Sequence, residues 1–271
     1  MPSNSLKLRQ IANTSVYVSP IGLGTVKLGR DQGVKYPSSF VIPNDNEALN
    51  LIACAKELGI NLIDTAPAYG NSEERLGYLL KGQRQDWIIC SKVGEEFSAG
   101  VSSYNFTPAQ ARKSIERSLQ RLDTDYIDIL LVHSDGNDSE IIQNSGLLEL
   151  LSELKNSGMI RSFGMSTKTL AGGLLAAEHC DVVMMTYNLA QQEEKPLLDY
   201  CQLNHKAAMI KKAFASGHLE NLNITDPVQA SFDLIFSHPG ATSAIIGTIN
   251  QQHLKDNVMK AKIALEHSTQ P

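Results

Sequence analysis

Asn61-Leu-Ile-Asp-Thr-Ala-Pro-Ala-Tyr-Gly70 begins like a strand and ends like a turn, with Asp64 and Tyr69 at the point of change. Two further stretches have the same form. Trp87-Ile-Ile-Cys-Ser91 runs into Lys92, and Ile127-Asp-Ile-Leu-Leu-Val132 runs into His133. Polar residues at successive strand ends converge only if the strands lie parallel in one sheet or barrel. In (β/α)8 barrels the catalytic residues come from those carboxyl ends.

Outward from these stretches, candidate strands fall at 20–25, 60–65, 87–92, 127–132, 161–166, 182–187, 207–212 and 243–247. Most are apolar on both faces, the pattern of parallel strands covered on both sides. Helical signals fill the gaps. Asn44 caps a helix whose third position is Glu47 and which Gly59 ends. Thr107-Pro108-Ala109-Gln110 offers a cap, a first-turn proline and a capping-box glutamine, followed by a stripe of Ala111, Ile115, Leu119 and Leu122. Leu147, Leu148, Leu151 and Leu154 form another stripe, stopped by Gly158. Asp226-Pro227 opens a helix that ends before His238-Pro239-Gly240, and Asn250 caps a last one carrying Leu254, Val258 and Ala261. This alternation predicts an α/β fold, a closed (β/α)8 TIM barrel forming one domain over residues 1–271. An open doubly wound sheet would show Gly-x-Gly-x-x-Gly after an early strand. Gly22 and Gly24 supply two of those glycines, but Lys27 stands in place of the third.

The 271 residues are 42% hydrophobic and 20% charged, a globular composition whose length suits one barrel. A net charge of −5 argues against an extended nucleic-acid face. The four cysteines (Cys54, Cys90, Cys180, Cys201) form no Cys-x-x-Cys pair and read as free thiols in a reducing compartment. The first residues show no apolar signal core, and no apolar run approaches the roughly 20 residues needed to span a membrane. A cytoplasmic protein with no membrane or nucleic-acid partner is expected, as a monomer or small homo-oligomer.

The four strand-end residues make a coherent chemical set. A free tyrosine titrates near 10, too high for efficient proton exchange at neutral pH. Lowering it by two to three units takes roughly 3–4 kcal/mol, about what one ammonium 4 Å away supplies at an effective dielectric near 20. Lys92 is placed to do this, Asp64 to keep Lys92 charged, and His133 to donate a hydrogen bond to a carbonyl oxygen. Singly, each residue has an ordinary structural reading as packing, rim charge or cap. Together they form a proton donor for an oxygen that becomes an alkoxide, as in carbonyl reduction. An aldolase-like use of Lys92 as a Schiff-base amine would need it neutral, and Asp64 opposes that.

The chain resembles the aldo-keto reductase family. The motifs are Gly22-Leu23-Gly24-Thr25, Asp64-Thr65-Ala66-x-x-Tyr69-Gly70, Ser91-Lys92-Val93, Leu130-Leu131-Val132-His133, Gly247-Thr248 and Asn257. The resemblance implies a tetrad of Asp64, Tyr69, Lys92 and His133 with Tyr69 as general acid. It further implies reversible hydride transfer between carbonyls and alcohols, without a metal. The cofactor implied is NADP(H), with NAD(H) as the alternative, and the substrate partner is a small carbonyl compound or alcohol. The same barrel also serves as an auxiliary subunit of potassium channels, so a nucleotide-binding regulatory subunit is the competing reading.

By the same resemblance, the cofactor side comprises Gly24, Thr25, Asp64, Ser166, Thr167, Met184, Lys211, Lys212, Ala213, Phe214, Gly247, Thr248, His253 and Asn257. Several depart from the family pattern. Thr167 replaces an asparagine and Met184 a glutamine that hold the carboxamide. Lys211 replaces the aromatic that stacks on the nicotinamide, and with Lys212 is expected to bring positive charge to the pyrophosphate. Gly247 and His253 replace a lysine and an arginine at the 2′-phosphate, which weakens the NADP preference and leaves Thr248 and a helix N-terminus to hold the phosphate. On the substrate side Val26 replaces a tryptophan and joins Tyr69 and His133, and 94–106 is the expected substrate loop. A short 213–225 connection and a short tail after Ala261 predict an open site.

Overall fold

The computed structural model describes residues 6–218 and 223–268. Expectations about residues 1–5, the 219–222 part of the 213–225 connection and the last three residues lie outside that range. Eight parallel strands close a barrel in chain order: β1 (Ile21–Gly24), β2 (Leu62–Asp64), β3 (Ile88–Val93), β4 (Ile127–His133), β5 (Ile160–Ser166), β6 (Val182–Thr186), β7 (Ala207–Lys211) and β8 (Ala241–Ile246). Each coincides with a strand expected from sequence, within two residues at either end. A helix follows each strand: α1 (Asp45–Glu57), α2 (Ser72–Leu79), α3 (Pro108–Arg121), α4 (Leu147–Asn156), α5 (Leu170–His179), α6 (Lys195–Leu203), α7 (Pro227–Phe236) and α8 (Gln251–His267). The fold is the (β/α)8 TIM barrel. Among the described residues no helix is long and apolar enough to cross a membrane.

Two apolar layers account for the both-faces-buried strands. Leu62, Cys90, Ile129, Leu131, Val182, Met184, Ala207 and Met209 fill the barrel interior, and Ile11, Val16 and Val18 join them. Those three belong to a small antiparallel hairpin, Arg9–Gln10 with Tyr17–Val18, which plugs the amino end of the barrel. The outward faces pack against the helices in a second, larger cluster that includes Leu51, Ile115, Leu151 and Val258.

The caps decide where helices begin. Asn44 and Glu47 form a reciprocal capping box, and Asn250 accepts from the backbone N–H groups of Gln252 and His253. The expected box at Thr107 does not form. Thr107 Oγ1 donates to Asn105 Oδ1 at 2.7 Å instead, and α3 starts at Pro108 without a side-chain cap. Asn105 precedes the helix and competes for the hydroxyl, which is how Asn captures local donors outside helices.

Candidate active site

The pairing register lifts three of the site residues to one level. Asp64 pairs with Cys90, Lys92 two residues on pairs with Leu131, and His133 two residues further pairs with Ser166. A step of two preserves the inward face, and the tilt of barrel strands turns each step into sideways rather than upward displacement. Asp64, Lys92, His133 and Ser166 therefore line the same rim of one cavity of about 760 Å³ at the carboxyl ends of the strands.

Tyr69 arrives by a turn rather than a strand. Gly70 has φ +64°, and a Cβ there would lie 2.0 Å from the Gly29 carbonyl oxygen, so only glycine allows the two backbones to meet. A relay of buried hydroxyls closes the turn: Thr65 Oγ1 donates to Ser72 Oγ, Ser72 Oγ to Thr25 Oγ1, and Thr25 Oγ1 to the Asp64 carbonyl oxygen, at 2.8–3.0 Å. Thr25 thus braces the site from behind and does not line the cavity.

Lys92 is 1% exposed and donates to Asp64 Oδ1 at 2.6 Å and to the Thr65 carbonyl at 2.8 Å. Burial opposes its charge, but Asp64, with smaller help from Tyr69 and Cys90, outweighs this and holds its pKa above the usual lysine value. Tyr69 Oη donates to Asp64 Oδ2 at 3.5 Å, and the Lys92 ammonium lies 4.6 Å from the phenol ring centroid. Here the electrostatics differ from the sequence expectation. Burial pushes the Tyr69 phenol above its ordinary value, Lys92 pulls it down by less, and Asp64 adds to the rise. Lys92 spends its charge on Asp64, so the phenol stays protonated at neutral pH, the form that donates.

His133 completes the quartet, its ring set edge-on to Tyr69 with centroids 6.3 Å apart. Its Nδ1 lies 2.8 Å from Oε2 of Glu95, a residue the sequence reading passed over. Glu95 stands on a hairpin, Glu95–Ser98 with Val101–Tyr104, formed by the expected substrate loop. The hairpin carries no cavity-lining residue, and it acts on the site through Glu95.

On the other side of the cavity stand Gly24, Val26, Ser166, Thr167 and Met184, then Lys211, Lys212, Ala213, Phe214 and Gly247. Lys211 departs from its expected place. Ala207, Met209 and Lys211 alternate inward, so the ammonium enters the barrel and donates to Ser166 Oγ at 2.9 Å and to the Thr167 carbonyl. It faces Ser166 and Thr167, the pair expected from the sequence to meet the carboxamide, rather than pointing to the expected phosphate side. Burial lowers its pKa to about 7, against the pull of Glu194. Thr248, His253 and Asn257 lie outside the cavity lining. Asn250 takes two of the α8 N–H groups expected to hold phosphate, Asn257 is 8% exposed and His253 is exposed. Lys27, Lys35 and Tyr36, from the long connection after β1, line the cavity without having been expected there. That connection crosses the mouth. The Lys35 carbonyl lies 3.3 Å from His218 Nε2, and Pro37 packs on Gly217, so the mouth is less open than the short connections suggested.

The family model described as the aldo/keto reductase family matches residues 20–233. A crystal structure from Pseudomonas aeruginosa, assigned to the aldo-keto reductases, is 51% identical with a TM-score of 0.87 over 95% of each chain. An uncharacterised oxidoreductase of Bacillus subtilis is 25% identical, covering 94% of this chain and 91% of that protein. An NADH-specific methylglyoxal reductase of Escherichia coli is 28% identical, covering 79% of this chain and 69% of that protein.

Proposed function

This chain belongs to the aldo/keto reductase family, and from that premise we propose that it reversibly reduces an aldehyde or ketone with a nicotinamide nucleotide, Tyr69 being the general acid. Kinship makes it an oxidoreductase. The observation that carries the finer reading is the Tyr69 phenol lining the cavity beside the buried Lys92–Asp64 pair.

The residues present fit a nucleotide. Gly24 and Gly247 adjoin, a Cβ on the former lying 3.6 Å from the latter's Cα, and neither contributes a side chain to the cavity between Ile245 and Tyr36. Lys27, Lys35 and Lys212 line the same cavity and make no ion pair among the described residues, which supports phosphate binding. Ser166, Thr167 and Lys211 would meet the carboxamide, in place of the lost asparagine and glutamine. NADP(H) is favoured over NAD(H) on this count of cations, while the NADH-specific relative keeps NAD(H) as the alternative.

When bound, the nucleotide supplies the hydride. Tyr69 gives its proton to the oxygen that becomes an alkoxide. Asp64 holds the Lys92 ammonium 4.6 Å from the ring centroid, and that charge stabilises the phenolate left behind. His133 orients the substrate, and Val26 leaves room beside it. In the alcohol-oxidising direction the phenolate takes the proton back.

A panel of aldehydes and ketones with NADPH and with NADH tests this. Turnover with at least one carbonyl is the expected result. Tight nucleotide binding without turnover of any carbonyl would favour the regulatory-subunit reading.

A further inference from the structure

Two ammonium groups reach the quartet's end of the cavity, and they differ in what they bond to. Lys92 donates to Asp64 Oδ1 at 2.6 Å, so that pair carries no net charge. Lys211, half-buried in the cavity wall, donates to Ser166 Oγ at 2.9 Å and to the Thr167 carbonyl oxygen, both uncharged acceptors. Among the described residues it forms no ion pair. The charged groups that act on it are Glu194 before α6, Lys212 beside it, Asp138 after β4 and Lys92 on β3. Asp138 is engaged by Ser134 on one oxygen and by the Lys168–Thr169 turn on the other. Burial pushes the Glu194 carboxyl above its ordinary value and Lys211 pulls it down by less, so Glu194 opposes the Lys211 charge only in part. Lys27, Lys35, Lys168 and Glu193 also line the cavity. The Lys211 charge reaches the quartet: burial lowers the His133 pKa, Glu95 opposes this, and Lys92 and Lys211 lower it further.

We infer that Lys211 makes the site tell the two redox states of its nucleotide apart, holding the neutral reduced ring more tightly than the cationic oxidised one. This rests on the reductase reading above, which supplies the nucleotide and requires its ring beside the carbonyl that Tyr69 protonates. A nicotinamide ring is uncharged when reduced and carries one positive charge when oxidised, while the phosphates and riboses are the same in both states. Lysines that meet phosphate therefore cancel from the ratio of the two affinities. A cation near the ring does not cancel, because a ligand pair is separated only by what interacts differently with its two members. Lys211 thereby favours release of the oxidised form. The discrimination needs the ammonium charged. Burial lowers the Lys211 pKa to about 7 against the pull of Glu194, so the effect is strongest in mild acid and fades as pH rises through 7.

Dissociation constants of NADP⁺ and NADPH for the full chain, by calorimetry and by nucleotide fluorescence from about pH 6 to pH 9, test it. Two like charges about 10 Å apart change an equilibrium by about tenfold at an effective dielectric near 20. Because the ammonium sheds part of its proton when the cation binds, about fivefold of this should remain near pH 6. The wild-type ratio of the NADP⁺ to the NADPH constant should therefore be about five times larger at about pH 6 than at about pH 9. Titration of the nucleotide phosphate is common to both forms and leaves the ratio alone. Lys211→Met should hold the low ratio at every pH, and Lys211→Arg, charged throughout, should hold a high one. A merely structural role for Lys211 would weaken both forms alike and leave the ratio unchanged. A wild-type ratio independent of pH, a pH dependence that persists in Lys211→Met, or equal ratios in the two proteins at about pH 6 overturns the inference. Carbonyl turnover with such a result leaves the reductase reading standing and removes the inference alone. If neither form of the nucleotide binds, both fall.

Discussion

Lys92 keeps its charge where water does not reach it, and Asp64 is the reason. Removing one member of a buried pair leaves the other uncompensated, at a cost of about 3–5 kcal/mol. Asp64→Asn should therefore lower the unfolding free energy by about 3 kcal/mol in denaturant titration, besides removing activity. Lys211 is the opposite case, a half-buried cation in the cavity wall whose hydrogen-bond partners are hydroxyl and carbonyl oxygens. Its folded pKa of about 7 lies below the ordinary lysine value of 10.5, so between these values the unfolded chain binds more protons than the folded one. The penalty for Lys211 is complete below about pH 7 and is relieved as pH rises towards 10.5. Lys211→Met should raise stability at pH 7 by about 2 kcal/mol, within the range for replacing buried charges by apolar groups. It should also flatten the rise of the thermal midpoint between pH 7 and 10. A variant with an unchanged pH profile would show that Lys211 is charged and solvated.

At the scale of elements, caps that look alike in sequence differ in what they do. Asn44→Ala removes a working capping box from α1 and should cost about 1 kcal/mol. Thr107→Ala removes no cap bond from α3 and should cost no more than a few tenths. Paired melting curves of the two variants decide this. The eight barrel strands were legible because burial on both faces leaves an unbroken apolar run in each. The two hairpins were not. Ala99 and Gly100, at φ +50° and +83°, make the turn between Glu95–Ser98 and Val101–Tyr104, but alanine is rare at such angles and gave no turn signal. With the hairpin unseen, Glu95 had no reason to be paired with His133, 38 positions away. The inward aim of Lys211 was legible in the alternation Ala207, Met209, Lys211, although the family comparison pointed it towards phosphate. The net rise of the Tyr69 pKa was not, because it depends on burial and on how completely Asp64 engages Lys92.

At the scale of the molecule, the barrel separates reporting from chemistry. Trp87, the single tryptophan, lies buried just ahead of β3, at the end of the barrel opposite Tyr69. Its emission should follow global unfolding and stay unchanged when nucleotide binds. Nucleotide at 100 times its dissociation constant should still stabilise the fold by about 2.7 kcal/mol, seen as a raised unfolding midpoint in the same signal. Because the site residues converge only in the closed barrel, nucleotide should have no affinity for the unfolded chain, and the full linkage should appear.

The most direct test of the central claim compares wild type with Tyr69→Phe in two assays on the same preparations: nucleotide oxidation with a carbonyl substrate, and nucleotide affinity by its own fluorescence. Loss of turnover by at least a hundredfold with affinity kept within a factor of about three is the predicted result, since general acid catalysis is worth about 10²–10⁴ in rate. Equal turnover in the two proteins would contradict Tyr69 as the proton donor.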